Sequence, residues 1–463
     1  MFWLLIACDG GEKADDTGAA VVGDDTGEVV DSADSGDSGV VYTEAQVSGV
    51  STRLNEDHEN LLYVAWEQGA AGEVWVEYSF DEGVWLSTPV EGVEVGAVEQ
   101  ILLGIPYGEE VSFRIGNDFG GGDLLTGEEA AAVGELPSGF LDATVSVLGD
   151  VDSSWQYLMT GVVSSNWSKH WTMIIDRQGR AVWAREGDDG ATMYPQVSYA
   201  GDELLIDSNS YWSGGWDGGA SSVVSRLKID GTSVETHALP GLHHPFTELP
   251  DGSLVWGAAN ADNQREETLE RLWPDGTQTT VWSCQEMLFS VGENTYCGSN
   301  TLFWSEARQT VTFSFYSVET VFEIDVEEGS AVRWFGHLDG SWDFDPVESA
   351  FWWQHGAHFT ADGTFMASTK IENRGQETLV REYSLDEASS TLTEVWAFGE
   401  GEGLYGATGG EAQKTPGGHV LHNYGDLTRV REVSPEGEVV WDVEWSGSWI
   451  GRMSMIDDLY ALL

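Results

Sequence analysis

The sequence predicts an all-β protein in which a small β-sandwich precedes a six-bladed β-propeller. Three observations support this fold class: the chain is rich in glycine and aromatic residues, its apolar residues alternate with a period of two, and one hairpin pattern recurs six times. Such composition and alternation favour short strands joined by tight turns. A strand-rich unit that recurs at blade length is typical of propellers. At 463 residues the chain is also long enough for two folded units.

The first residues resemble a bacterial lipoprotein signal. Residues 1–7 (MFWLLIA) are an apolar run, and residues 5–8 (LIAC) resemble the lipobox at which signal peptidase cuts before the cysteine is lipidated. We interpret residues 1–8 as a signal-peptide remnant and predict an exported, membrane-anchored lipoprotein of the periplasm or cell surface. The run is short and lacks a basic n-region, so an upstream start or a chance match stays open.

Residues 9–41 consist mainly of Asp, Gly, Ser, Thr and other small residues, which predicts a disordered acidic linker. The whole chain has 79 acidic and 20 basic side chains, a formal net charge of -59. A charge of this sign repels phosphate backbones and anionic lipid surfaces. We therefore predict no nucleic-acid partner, and membrane attachment only through a lipid anchor at Cys8.

Residues 42–123 are predicted to form the β-sandwich. Apolar and polar residues alternate in LLYVAWEQ (61–68), EVWVEYSF (73–80) and EEVSFRIG (109–116), with Gly and Pro turns between them. The segment LLGIPYG at 102–108 resembles the turn that enters a late strand of a fibronectin type III domain. This resemblance implies an Ig/fibronectin-III-like fold. Residues 124–137 are predicted to be a linker.

The six-bladed propeller is predicted over residues 138–463. A strand, an Asp or Gly turn and a second strand that usually ends at Trp recur at 174–183, 227–236, 271–282, 322–334, 383–396 and 432–441. A second hairpin type lies between them, at 248–257, 359–368 and 414–423. Outer hairpins that alternate with inner ones describe six four-stranded blades. An open sandwich is the alternative, which a regular repeat of this length disfavours.

Two histidines occupy matching places on the inner hairpins. His244 lies eight residues before the turn glycine Gly252, and His355 lies eight residues before Gly363. Because the innermost strand of each blade lines the central channel, we expect the two imidazoles to converge at one mouth. The same count in the last blade gives Gly410. A single strand histidine is usually structural, but two at one register indicate a functional site.

Several segments around these histidines resemble the bacterial arylsulfotransferases, which move a sulfuryl group between phenols without a nucleotide donor. HHPF at 243–246 is similar to the family's paired-histidine segment, and QHGA at 354–357 is similar to the motif that carries the nucleophile. The resemblance implies an aryl sulfate and a phenol as substrates, His355 as the nucleophile, His244 as its assistant and no cofactor. His243 and Asn300 then become candidates for substrate binding.

Two departures from the family pattern leave a second function open. The family's His-x-Asn-Ser motif is GSNT here, at 298–301, and the next strand has Ser317 where the family offers an Arg. Lys370 and Arg374 follow the His355 strand, either as partial substitutes, with Arg374 contacting substrate, or as ordinary loop charges. Loss of charge-stabilising donors lowers rates by a hundredfold or more. The alternative function is therefore a catalytically inactive propeller that binds a ligand or a protein at the cell surface.

The remaining cysteines, Cys284 and Cys297, bracket a twelve-residue loop. In an oxidising compartment they are predicted to form a disulfide. Two cysteines cannot complete a tetrahedral zinc site alone, and no Cys-x-x-Cys or His-x-x-x-His spacing accompanies them, so we predict no metal site.

Overall fold

The computed structural model describes residues 42–187, 190–213, 217–260, 263, 266–371 and 377–463. This part of the chain is all-β, as predicted, with thirty-five strands, one short α-helix and four single-turn 3-10 helices. Cys8 and Arg374 lie outside the described residues, as do the predicted signal remnant and acidic linker. No helix of the described residues has the length and apolar content needed to cross a membrane.

The first nine strands form two sheets that share one apolar core. The strands are β1 (Val47–Leu54), β2 (Leu62–Gln68), β3 (Gly72–Asp81), β4 (Val84–Ser87), β5 (Glu91–Val93), β6 (Gly96–Leu102), β7 (Glu110–Asp118), β8 (Asp123–Leu125) and β9 (Glu129–Ala132). One sheet has the order β1-β2-β6, and the other has the order β4-β3-β7-β8, with β5 on β3 and β9 on β7. Alternate residues of both sheets, including Trp66, Tyr78 and Phe113, are buried together, which explains the period-two pattern.

Two strands correct the linker predicted over residues 124–137. β8 pairs with the C-terminal end of β7, and β9 pairs with its N-terminal half. One edge of β7 would otherwise expose unpaired backbone N–H and C=O groups. Backbone pairing can satisfy those groups without an alternating apolar pattern, so the short run Glu129–Ala132 gave no strand signal in the sequence.

Twenty-six strands follow. They are β10 (Ala143–Val147), β11 (Tyr157–Val163), β12 (His170–Asp176), β13 (Ala181–Glu186), β14 (Gln196–Val197), β15 (Leu204–Ser208), β16 (Val223–Leu227), β17 (Ser233–Ala238), β18 (Leu242–Glu248), β19 (Leu254–Ala259), β20 (Glu267–Leu272), β21 (Gln278–Ser283), β22 (Ser299–Ser305), β23 (Thr310–Phe315), β24 (Thr320–Asp325), β25 (Ser330–Gly336), β26 (Asp343–Asp345), β27 (Trp352–Phe359), β28 (Phe365–Lys370), β29 (Thr378–Asp386), β30 (Thr391–Phe398), β31 (Glu411–Lys414), β32 (Val420–Asn423), β33 (Arg429–Val433), β34 (Val439–Trp445) and β35 (Trp449–Ile456). The helix α1 (Cys284–Ser290) lies between β21 and β22.

These strands form six sheets of four or five strands. Their orders are β35-β11-β12-β13, β14-β15-β16-β17, β18-β19-β20-β21, β22-β23-β24-β25, β27-β28-β29-β30-β26 and β31-β32-β33-β34-β10. Each hairpin that recurs in the sequence is an antiparallel pair in one of them: β12–β13, β16–β17, β20–β21, β24–β25, β29–β30 and β33–β34.

The repeated Trp at the end of the outer hairpins joins neighbouring sheets. Trp183 and Trp441 are fully buried. Trp183 Nε1 donates to the Ile229 carbonyl of the second sheet at 2.8 Å. Trp441 Nε1, in the sixth sheet, donates to the Arg177 carbonyl of the first sheet at 2.8 Å. The tryptophan therefore recurs because it packs a large apolar surface between sheets while its N–H is satisfied.

Both ends of this region pair with distant partners. β35, near the C-terminus, pairs with β11, and β10 pairs with β34 of the sixth sheet. The first strands of neighbouring sheets contact one another, as in β35 with β14, β18 with β22, β22 with β27, and β27 with β31. We call β35, β14, β18, β22, β27 and β31 the inner strands, and they bring distant parts of the sequence to one place.

Candidate functional site

A cavity of about 430 Å³ lies at the start of the inner strands. Its lining includes His244 of β18, Asn300 of β22, His355 of β27 and Gly410 just before β31. The structure therefore brings together the residues that the sequence placed at equivalent positions of different sheets. They converge because each lies near the beginning of an inner strand.

Aromatic rings form much of the remaining lining. They are Trp167, Tyr194, Trp212, Phe303, Tyr316, Trp353 and Trp449. Among the described residues that line the cavity, Glu411 and Arg452 are the only carboxylate and the only guanidinium. Sequence reasoning missed both the rings and Arg452, because the rings come from loops and strands without a shared motif. The cavity thus combines apolar faces with a few polar groups, as small-molecule sites do.

A distorted strand presents His355 to the cavity. The register of β27 shifts on both sides of His355, between Trp352 and His355 and again between His355 and His358. Trp353 has φ of 51°, and Gly356 has φ of 58°. A Cβ at Gly356 would lie 2.6 Å from Glu411 Cα, so this position requires glycine. Such bulges re-aim side chains and are frequent next to active sites.

The environment of His355 keeps its imidazole neutral and fixes its tautomer. Nδ1 lies 3.0 Å from the Trp353 carbonyl oxygen. A carbonyl only accepts hydrogen bonds, so Nδ1 carries the proton and Nε2 keeps its lone pair. Burial lowers the pKa of His355 to about 4; the Trp353 carbonyl opposes this shift and the charge of Lys370 adds to it. At neutral pH the side chain is therefore an uncharged nucleophile.

His244 is a second neutral imidazole in the cavity. Burial lowers its pKa well below the usual value, and the neighbouring His243 and His355 lower it further. Its Nδ1 is buried without a hydrogen-bond partner among the described residues. A group with so low a pKa is a hydrogen-bonding group or a base at neutral pH, and not a standing acid.

His243, predicted to bind substrate, does not line the cavity. Its ring lies against Tyr211, at 4.3 Å between centroids, and against Trp212, at 5.6 Å. Its Nδ1 lies 3.5 Å from a carboxylate oxygen of the buried Glu267. The register of β18 shifts between Leu242 and Phe246, and the His243 ring contacts that of His244, with 3.9 Å between centroids. His243 therefore supports the His244 ring from outside the cavity lining, and its contact with substrate stays a prediction.

Asn300 lines the cavity and also joins two inner strands. Its Nδ2 donates to the Gln354 carbonyl at 2.6 Å, directly before His355. Gln354 Nε2 in turn donates to the Phe315 carbonyl at 3.1 Å. Asn300 therefore fixes the backbone that carries His355, in addition to lining the cavity.

Tyrosine side chains fill the space at Gly298, where the family pattern has a histidine. Gly298 N donates to Ser317 Oγ at 2.9 Å. A Cβ at Gly298 would lie 2.8 Å from the Tyr296 ring and 2.9 Å from the Tyr316 ring. Tyr316 also stacks on Trp353, with 6.3 Å between ring centroids. We call Tyr296 and Tyr316 the tyrosine wall, and His244 and His355 the imidazole wall.

Lys370 is the last residue of β28 and is buried, so it is not a loop charge. Its Nζ donates to the Ala407 carbonyl at 2.7 Å and lies 4.6 Å from the centre of the Tyr405 ring.

Cys284 and Cys297 are joined by a disulfide, as predicted, with 6.1 Å between their Cα atoms. Within the described residues, no group of three or more His, Cys, Asp and Glu is arranged to hold a metal ion.

Comparisons with known proteins agree with the resemblance predicted from the motifs. The sequence model of the family described as Arylsulfotransferase (ASST) matches residues 144–450. No curated protein matches the chain.

Several solved structures are similar at low identity. A Bacteroides caccae protein of unknown function is 14% identical, with a TM-score of 0.43 and coverage of 66% of this chain and 100% of that one. A catalytically inactive virginiamycin B lyase from Staphylococcus aureus with quinupristin is 13% identical, with a TM-score of 0.37 and coverage of 68% and 100%. A putative 6-phosphogluconolactonase from Bacteroides fragilis is 13% identical, with a TM-score of 0.38 and coverage of 83% and 98%.

Proposed function

Because the chain belongs to the arylsulfotransferase family, we propose that it transfers a sulfuryl group from an aryl sulfate to a phenol through a covalent intermediate on His355. One observation carries the proposal: His355 lines an aromatic cavity as a neutral imidazole whose proton is held on Nδ1 by the Trp353 carbonyl. This leaves Nε2 as the atom that attacks.

In the first step the Nε2 lone pair of His355 attacks the sulfur of the aryl sulfate. The bond between sulfur and the aryl oxygen breaks, and its electron pair leaves with the phenolate. The imidazole becomes positively charged as the N–S bond forms. The Trp353 carbonyl, 3.0 Å from Nδ1, stabilises that charge by accepting a stronger hydrogen bond.

In the second step a phenol replaces the departed phenolate. Its oxygen attacks sulfur, the N–S bond breaks, and the electron pair returns to Nε2 of His355. His244 takes the phenol proton, since its lowered pKa makes it a neutral base. The same low pKa leaves almost no protonated His244 at neutral pH to donate a proton to the leaving phenolate in the first step. We therefore expect aryl sulfates with acidic phenols as leaving groups to be the best donors.

The aromatic lining supports this choice of substrates. Aromatic side chains such as Trp212, Trp353 and Trp449 border the cavity that holds both histidines. Rings of this kind stack on aryl groups and add roughly 0.5–1.5 kcal/mol per pair beyond simple burial. A cavity of about 430 Å³ holds an aryl sulfate or a phenol close to His355.

The test is release of nitrophenol from nitrophenyl sulfate in the presence of excess phenol. Wild-type protein is expected to release nitrophenol and form phenyl sulfate, and His355→Ala is expected to lose this activity. His358→Ala is the matched control, because His358 lies on the same strand but lines a different cavity. It is expected to keep most of the activity. Equal release by wild type and His355→Ala would contradict the proposal.

Binding without catalysis is the second candidate function. The tyrosine wall favours it, because its rings fill the space at Gly298, where the family pattern has a histidine that would stabilise transferred charge. In this case the cavity binds an aryl ligand, and His355 does not catalyse sulfuryl transfer. Retention of aryl sulfate binding without any His355-dependent release identifies it.

We also infer a closed six-bladed propeller behind an Ig/fibronectin-III-like sandwich, held at the membrane through Cys8. The pairings β35–β11 and β10–β34 support closure, since they join the first and last sheets of the repeat. Residues 5–8 (LIAC) support the anchor. Protein expressed with a full leader is expected in the membrane fraction, and Cys8→Ala is expected to be released from it. A wild-type protein recovered in the soluble fraction contradicts the anchor.

A further inference from the structure

Arg452 lies at the base of the cavity. It belongs to the inner strand β35 and lines both this cavity and a second one of about 520 Å³. Phe303 also lines both cavities, and the Arg452 guanidinium lies 4.0 Å from the centre of its ring. The stacked pair therefore separates the two cavities and forms the floor of the first.

The Arg452 guanidinium is hydrogen-bonded to the two strands that carry His244 and Asn300. Arg452 Nη1 donates to the Phe246 carbonyl at 2.9 Å and to the Leu302 carbonyl at 3.3 Å. Phe246 lies two residues beyond His244 on β18, and Leu302 lies two residues beyond Asn300 on β22. One residue thus crosses between the strands that carry two of the cavity's polar groups.

The remaining donors of Arg452 are not used by the protein. Glu411 Oε1 lies 4.0 Å from Arg452 Nε, which is too far for a hydrogen bond. Glu411 is satisfied instead by amides: its Oε1 accepts from Gln413 Nε2, and its Oε2 accepts from Met453 N at 3.0 Å. Among the described residues, no group accepts a hydrogen bond from Nε or Nη2 of Arg452. Arg452 therefore lines the cavity as one half of an ion pair with Glu411, and its Nε and Nη2 donors are not taken up by the described residues.

We propose that Arg452 binds the sulfate oxygens of the aryl sulfate and replaces the arginine that the family carries where this chain has Ser317. The inference deepens the proposed function and rests on it for the identity of the anion. A guanidinium edge presents two parallel N–H donors, which match two oxygens of a tetrahedral anion. Both histidines of the cavity are neutral and the whole chain has a formal net charge of -59, so an anionic substrate needs a local cation.

Binding of benzenesulfonate, which carries the anionic oxygens but has no transferable ester, tests this role by titration calorimetry. Wild type and His355→Ala are both expected to bind it. Arg452→Gln is expected to weaken binding by about tenfold to a hundredfold, the usual effect of losing a hydrogen bond to a charged group. Arg452→Lys, which keeps the charge but not the paired donors, is expected to lie between them. Arg381→Gln on β29 is the matched control and is expected to bind as wild type.

A second measurement needs no variant at Arg452 and covers the case in which Arg452→Gln does not fold. Wild type is expected to prefer benzenesulfonate to the neutral benzenesulfonamide, and the preference is expected to fall as salt rises. Equal binding of the two, no binding of benzenesulfonate, or unchanged binding by a folded Arg452→Gln would overturn the role of Arg452. If Arg452-dependent binding is present and nitrophenyl sulfate is not turned over, only the proposed catalysis fails.

Discussion

The imidazole wall and the tyrosine wall differ in how they meet the cavity: His244, His355 and Tyr316 line it, whereas Tyr296 does not line it and is 43% exposed. On the imidazole wall, burial holds His244 and His355 neutral, and the Trp353 carbonyl orients His355. On the tyrosine wall, the rings of Tyr296 and Tyr316 close over Gly298 and leave no space for a larger side chain. One wall therefore retains groups that can form and break bonds, while the other contributes shape and an aromatic surface.

This difference shows that a missing family residue does not leave an empty position. The space of a histidine at Gly298 is filled by packed rings, and the cation expected at Ser317 has a counterpart on another strand, Arg452. Charge and nucleophile can thus be supplied by different sheets, because all inner strands meet at one cavity.

The largest effect that separates the walls is expected at His244. His244→Ala is expected to slow transfer to phenol by about 10²–10⁴-fold, the usual contribution of a positioned base. The first release of nitrophenol should persist as a burst, because that step does not use His244. Stopped-flow absorbance resolves the burst from the steady rate. His358→Ala, at a histidine that lines the second cavity, serves as the control, and loss of the burst in His244→Ala would contradict the division of roles.

The disulfide next to the tyrosine wall is expected to matter for stability and not for chemistry. Cys297 directly precedes Gly298, and neither cysteine lines the cavity. Replacing Cys284 and Cys297 together by serine is expected to lower the free energy of unfolding by about 3 kcal/mol, from the loop closed by the bond. Denaturant unfolding measures the loss. Unchanged stability, or a lower rate per folded molecule, would argue against this assignment.

Gly298→His tests whether restoring the histidine that the family pattern has at this position increases the rate of transfer. The new side chain would overlap Tyr296 and Tyr316, so we expect a loss of about 1–3 kcal/mol in unfolding free energy and no gain in rate. Gly298→His with Tyr316→Ala removes part of the overlap and is expected to recover some stability. A faster single variant would show that the wall accepts a catalytic group without rearrangement.

The smallest effect is expected from pH on the imidazole wall. The pKa of His355 is lowered to about 4, so its neutral form predominates above that value and is lost as pH falls through it. The burst rate should change by less than about twofold between pH 7 and pH 5, where a His with the usual pKa would lose most of its neutral form. A pH–rate profile of the burst checks this, and a midpoint near 6.5 would be inconsistent with a buried, neutral nucleophile.

The sequence predicted the hairpins of the fold because their signals are local. An Asp or Gly turn, and in most copies a terminal tryptophan, mark the outer hairpins, and the structure forms an antiparallel pair at each of them. The pairings β35–β11 and β10–β34 have no local signal, because each joins a strand near the start of the repeat region to one near its end in the sequence. β8 and β9 were missed for a related reason: the free edge of β7 determines their pairing.

The sequence predicted cavity residues only on inner strands that are followed by a recognisable turn glycine, from which their position could be counted back. His244, His355 and Gly410 share a fixed distance from a turn glycine, and all three line the cavity. Arg452 has no such turn after it, because its hairpin partner β11 lies at the other end of the repeat. Counting alone also does not separate His244, which lines the cavity, from the adjacent His243, which contacts the His244 ring without lining it, because the strand register shifts at this point.

The covalent intermediate on His355 is tested most directly by mass spectrometry of the intact protein. Wild type is incubated with nitrophenyl sulfate without an acceptor, then digested and mapped. We predict the mass of one SO₃ group on the peptide that contains His355, its removal on addition of phenol, and its absence in His355→Ala. Turnover without such an adduct, or an adduct on another residue, would contradict histidine-mediated transfer through His355.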